Sequence, residues 1–126
     1  MKSLVVVDTN VIIRYLIGDH PEHFEKARTF WEQVKLGKVQ AFIPESVLAE
    51  TVYVLLKVYG VPKEKAVEKL SQLLDYKGLE GELAVYREAL VLFGARKVDI
   101  VDAIVLAWGN VKGYRPFSFD RDVARN

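Results

Sequence analysis

The chain has 126 residues, 51% of them hydrophobic and 28% charged, which is material for one core and one domain spanning residues 1–126. The absence of cysteine excludes a disulfide framework and a thiolate zinc site, and a net charge of +1 excludes a globally basic nucleic-acid binder while leaving a local basic surface open. No apolar run approaches the ~20 residues of a membrane span, and the apolar stretch in the opening MKSLVVVD is too short for a secretion signal, so a cytoplasmic setting is expected.

A β-branched run, Ser3 to Val7, predicts a strand buried on both faces. Asp8-Thr9-Asn10 ends it, and VIIRYLI predicts a short helix closed by Gly18. Asp19-His20-Pro21 is a helix start, with proline where its missing N–H does no harm. Phe24, Ala27, Trp31 and Val34 then recur at helical spacing, and Gly37 stops that helix. Val39 to Ile43 is a second strand. Pro44 opens a third helix over SVLAETVYVLLKVY, ended by Gly60. A fourth runs from Pro62 to about Tyr76, with Ala66, Val67, Leu70, Leu73 and Leu74 on one face. Leu79-Glu80 reads as a brief strand, and Glu82 to Ala95 and Asp99 to Val111 as two helices. Arg115 to Phe119 is expected to be a last strand, with Asp120 directly after it.

Strands alternating with helices place the chain in the α/β class, as a three-layer α/β/α sandwich with a central parallel sheet. Ligands of such sheets bind outside the carboxyl ends of the strands. Asp8 and Asp120 both follow predicted strands, so they are expected in one crevice.

Four carboxylates stand among apolar neighbours: Asp8, Glu50, Asp102 and Asp120. All but Asp102 have a plainer explanation. Asp8 fits an N-cap for the helix that follows. Glu50 and Lys57 form a thin polar edge on a helix that otherwise reads as apolar. Asp99 and Asp102 share a helix face; Asp99 suits a cap, whereas Asp102 lies deeper, where a cap does not explain it. Asp120 and Asp122 suit a turn. Glu45 falls in a first helical turn, where the dipole favours an acid. Taken together, four acids able to reach one crevice cannot all stay ionised without a cation. An all-oxygen set suits a hard ion, Mg²⁺ or Mn²⁺, which serves phosphate chemistry.

VVDTNVIIRYL, the lone Glu in SVLAETVYVL, VDIVDAIVLA and FSFDRD, in that order, resemble the PIN-domain nucleases, and most of all the VapC-type toxins of prokaryotic toxin–antitoxin pairs. The resemblance spans the whole chain. By position it implies Asp8, Glu50, Asp102 and Asp120 as catalytic acids. Asp8, Asp102 and Asp120 would hold Mg²⁺ or Mn²⁺, and Glu50 would ligate or orient the attacking water. Asn10 and Thr9 of the first motif and Ser118 would support the site, with Asp99 and Asp122 as accessory acids. It further implies an endoribonuclease, usually a homodimer, inhibited by a small antitoxin protein. Arg14, Arg96 and Arg121, with Lys97 and Arg115, lie near the motifs and are candidates for RNA phosphates.

Other readings are weaker. A haloacid-dehalogenase-type phosphatase wants Asp where this chain has Asn10, and a receiver domain wants a mid-chain phosphoacceptor Asp and a late Lys. A PIN-like module that binds RNA or protein without cutting, and a DNA- or RNA-processing nuclease with the same acids, stay open. His20 and His23 are three apart, but at a helix start they suit a surface better than a metal. Phe24, Phe30 and Trp31 offer aromatic surface, with core packing the better role for Phe24 and Trp31. Tyr53, Leu56, Tyr59 and the helix from Pro62 are candidates for a partner-binding face.

Overall fold

A computed structural model describes residues 4–124, without the side chains of residues 122 and 124; Ser3 of the first expected strand lies outside the described residues. Three parallel strands, β1 (Leu4–Val6), β2 (Gln40–Phe42) and β3 (Leu79–Glu80), are ordered β1-β2-β3. The register sets Leu4, Val5 and Val6 against Gln40, Ala41 and Phe42, and Ala41 and Phe42 against Leu79 and Glu80. Helices α1 (Thr9–Ile17), α2 (Pro21–Lys35), α3 (Glu45–Tyr53), α4 (Lys63–Leu74), α5 (Leu83–Ala95), α6 (Ile100–Lys112) and the short α7 (Arg121–Ala124) flank the sheet in the expected three-layer α/β/α arrangement.

The boundaries follow local chemistry. Asp8 caps α1, its Oδ1 accepting the Val11 N–H at 3.2 Å, and Gly18 ends the helix in the left-handed region. Trp31, fully buried, donates its indole N–H to the Val11 carbonyl at 3.0 Å and so fixes α2 against α1. Ala89, Ala103 and Ala107 have no exposed surface, and these small side chains let α5 and α6 lie close together. Gly78 marks the tightest crossing: a Cβ there would sit 2.0 Å from the Val39 carbonyl oxygen. The Gly78 N–H donates to Val34 O at 2.8 Å and its carbonyl accepts from Ala41 at 2.9 Å, so the backbones of α2, β2 and β3 meet at this one residue.

Three expectations need correction. The first strand is not buried on both faces: Leu4, Val5 and Val6 are 52%, 37% and 64% exposed, because β1 is the edge of the described sheet. The third helix is not uniform to Tyr59: after Tyr53 the chain passes into one π-helical turn, Val54–Val58, with Tyr59 N–H reaching back to Val54 O at 3.1 Å. The last strand does not form. Residues 114–118 are irregular, Phe117 is 79% and Phe119 94% exposed, and β1 is an edge strand. The Phe-Ser-Phe alternation matches a strand, but other contacts decide. Tyr114 stacks on Trp108 at 6.0 Å, and the Tyr114 carbonyl and Pro116 ring close over Gly109, so the chain leaving α6 is pinned to that helix. Pro116 also lacks the N–H a ladder needs.

Candidate functional site

β1 delivers Val7 to the core and Asp8 to the surface at the carboxyl edge of the sheet. Thr9, the next residue, is buried and donates its hydroxyl to the Glu50 carboxylate on α3, a contact across 41 positions of sequence. α3 packs against both α1 and α6, and α6 carries the remaining helical acids. Asp99 caps α6, its Oδ1 accepting the Asp102 N–H at 2.8 Å. Because the helix begins at Ile100, Asp102 falls in its first turn, where the helix dipole favours a carboxylate; it is not as deep in the helix as the sequence suggested. Ser118 Oγ accepts the Asp120 N–H at 3.0 Å and shapes the turn before α7.

Apolar neighbours in sequence did not translate into burial. Asp8, Glu50, Asp99 and Asp120 are exposed, and Asp102 is half-buried. α3 turns Leu48, Thr51 and Val52 into the core, which leaves Glu50 on the opposite face; Thr51 satisfies its hydroxyl on Val47 O at 2.7 Å. Among the described residues, no three His, Asp or Glu side chains converge to enclose a metal ion. The donor chemistry still fits a hard cation, since Mg²⁺ commonly takes one or two carboxylates and keeps waters for substrate phosphate oxygens to replace. Exposed acids at the surface suit that mode better than an all-protein cage.

Beside Asp8 runs an open groove of about 390 Å³ between β1, α1 and α2, with Asn10, Arg14, His23, Lys26 and Phe30 along it. Asn10 is exposed near Asp8. Arg14 is paired through Nη1 with Asp19 at 3.4 Å. Arg96 is exposed just after α5, where its carbonyl accepts from Lys63 at 2.9 Å, and Arg121 is exposed at the start of α7. The side chain of Asp122 lies outside the described residues. The histidines form no metal pair: His20 caps α2 through Nδ1, accepting the His23 N–H at 3.2 Å, and the two rings stack at 3.8 Å. Lys26 and the groove face of His23 drew no attention in the sequence. The available signal was the spacing of His23, Lys26, Ala27 and Phe30, which share one face of α2.

The PIN domain family model matches residues 5–126. The chain is 29% identical over 100 residues to a protein named VapC ribonuclease from Aquifex aeolicus (strain VF5), an alignment covering 79% of this chain and 73% of that one. No solved structure gives a significant match.

Proposed function

Because the chain belongs to the PIN domain family, we propose that it is a Mg²⁺- or Mn²⁺-dependent endoribonuclease that hydrolyses RNA phosphodiesters, the toxin of a VapBC-type toxin–antitoxin pair. The likeness to a relative named VapC ribonuclease carries the substrate class. The Thr9–Glu50 contact, which ties the first acidic motif to the second, supports the site.

Asp8, Asp102 and Asp120 are the residues we assign to the ion. When bound, the ion supplies electrostatic stabilisation of charge on the phosphoryl oxygens. Glu50, held by Thr9 and open to solvent, orients the attacking water and takes its proton. Asn10 stands beside Asp8 as a neutral hydrogen-bonding group, and Ser118 sets the turn that presents Asp120. Arg14 contacts the RNA backbone from the groove, and Arg96 and Arg121 are candidates for outlying phosphates. For the homodimer we assign the face carrying Tyr53 and Val58, 61% and 67% exposed; Leu56 and Tyr59, also expected there, are half-buried against the core. A small antitoxin is the proposed protein partner. No helix among the described residues is long and apolar enough to cross a membrane.

The separation of the acids favours one second reading, a PIN-like module that binds RNA or protein without cutting. Cleavage of end-labelled mixed RNA, with matched DNA beside it, in Mg²⁺, Mn²⁺ or EDTA, decides between them when run in parallel on Asp8→Asn. Asparagine caps a helix as well as aspartate does, so this variant should melt like the parent. Metal-dependent RNA cutting that Asp8→Asn loses is the expected result. Binding without cutting in every metal supports the second reading, and DNA cut in preference to RNA overturns the substrate assignment.

A further inference from the structure

Two glutamates of α3 are each held from a neighbouring helix. Glu50 receives the Thr9 hydroxyl from α1, and Glu45, in the first turn, receives the Trp108 indole N–H from α6 at 2.6 Å. The helix dipole accounts for an acid at position 45 but not for its bond to a residue 63 positions away.

Trp108 also governs the chain that follows α6. Its ring lies parallel to that of Tyr114, with centroids 6.0 Å apart and planes 5° apart. The Tyr114 carbonyl and the Pro116 ring close over Gly109, the residue after Trp108, and this strap leads on to Asp120, whose N–H is held by Ser118. One indole therefore grips the head of α3, belongs to the helix that carries Asp102, and backs the strap that ends at Asp120.

Holding α6 to the fold does not require this contact. Ala89, Ala103 and Ala107 pack α6 tightly on α5. Asn110 donates to Glu88 at 2.7 Å, and Lys112 pairs with Glu82, at the N-cap of α5, at 2.9 Å. The packing of α6 on α3 is much slighter. Trp108 is half-buried and Glu45 is exposed, so their bond replaces bonds to water and adds little net stability. What it fixes is direction. Asp102 lies six residues from Trp108, roughly 9 Å along the helix axis, so a small tilt of α6 on α5 moves Asp102 relative to Glu50. A shift of about 1 Å is enough to cost about 10²-fold in rate.

Resting on the proposed function, we propose that Trp108 is a positioning residue for RNA cleavage: through its bond to Glu45 and the strap stacked on its face, it holds Asp102 and Asp120 at their stations relative to Glu50.

The test reads two quantities well below every melting temperature. One is kcat and KM for RNA cleavage in Mg²⁺; the other is affinity for Mn²⁺, from the electron paramagnetic resonance signal of the free ion. Trp108→Phe keeps a ring for Tyr114 and deletes the N–H, while Glu45→Ala deletes the acceptor at an exposed position. Each should lower kcat and Mn²⁺ affinity about ten-fold with KM unchanged, and Tyr114→Ala, which frees the strap, should do the same. Glu45→Gln, which keeps an oxygen for the indole, should recover both quantities. Trp108→Phe combined with Glu45→Ala should lose no more than either alone. Circular dichroism melts establish that each variant is folded in the assay. Variants that melt earlier but keep wild-type kcat and Mn²⁺ affinity overturn the proposal and leave the nuclease reading standing. Full additivity in the double variant, or Glu45→Gln as impaired as Glu45→Ala, also overturns it. Wild-type protein that binds Mn²⁺ without cutting RNA removes the nuclease reading, and the Mn²⁺ affinities of the variants then decide the positioning role alone. Wild-type protein that neither binds Mn²⁺ nor cuts RNA removes both.

Discussion

Replacing Thr9 with valine keeps the shape of a buried side chain and removes the hydroxyl that holds Glu50. A hydrogen bond to a charged group contributes about 1.5–3 kcal/mol when both partners are buried. Here Glu50 is exposed, so its released carboxylate is rehydrated, and the valine methyl that replaces the hydroxyl leaves nothing buried and unsatisfied. The net loss should therefore fall to about 1 kcal/mol, or roughly 3–6 °C in Tm for a domain of this size. The effect on turnover should be larger than the effect on stability. A positioned general base contributes about 10²–10⁴-fold, and a Glu50 free to rotate forfeits part of that. We expect kcat for RNA cleavage to fall about 10- to 100-fold in Thr9→Val with KM unchanged, and Thr9→Ser to recover most of it. In a Glu50→Gln background, Thr9→Val should add little to the loss, because the two residues act as one unit. Wild-type kcat in Thr9→Val, or the same further loss in both backgrounds, would refute the role given to this contact.

The cap of α6 should behave as a structural feature: Asp99→Ala should lose about 1 kcal/mol in thermal melts, while Asp99→Asn, which keeps an acceptor for the Asp102 N–H, should lose almost none. Gly78→Ala should be among the most damaging single substitutions, with loss of several kcal/mol or of soluble protein, because its methyl would meet the Val39 carbonyl at 2.0 Å; Gly113→Asn, at a left-handed cap with open space around it, should melt within a few degrees of the parent. Burial, followed by Glu45 and Glu82, pushes the Tyr86 phenol up to about 12 from 10.0, while its hydroxyl donates to Ile43 O at 2.8 Å. The stabilisation from the neutral phenol is complete below pH 10 and is lost as pH rises through 12. Denaturant melts across that window should show wild type losing its advantage over Tyr86→Phe, which at neutral pH is about 1 kcal/mol less stable.

How much of this was legible in the sequence depends on how far each feature is decided locally. Helix starts and stops were readable because they rest on one or two residues: Pro21 at the head of α2, and Gly18 in a left-handed conformation at the end of α1. The parallel sheet was readable from the alternation of elements. Arg115–Phe119 was not, because its period-two pattern is real but its conformation is set by Trp108 and Gly109, residues on another element. Burial of the acids was misjudged for a related reason. In a helix the residues flanking a position point to other faces, so Ile100, Val101 and Ala103 say little about what surrounds Asp102. The groove left no trace in any one segment. Its rim is drawn from three elements.

The structure gives several acids a local duty, and that duty is narrower than the chemistry of the residue performing it. Asp8 and Asp99 cap helices, and a cap asks only for an oxygen that accepts one N–H. Asparagine or serine meets that demand equally well. A negative charge at these positions adds a modest dipole interaction, of order 0.3–1 kcal/mol where exposed. Capping thus accounts for a short polar side chain at position 8 and leaves its charge mostly unaccounted for. The same holds for Glu50, whose exposed carboxylate receives the Thr9 hydroxyl, although a glutamine oxygen could accept that hydrogen bond. Charge beyond what folding requires, at the carboxyl edge of a parallel sheet and next to a groove with a cationic rim, is what a cation and a polyanionic substrate would use. Asp8→Asn separates the two demands: the fold should keep its cap, and cleavage should be lost.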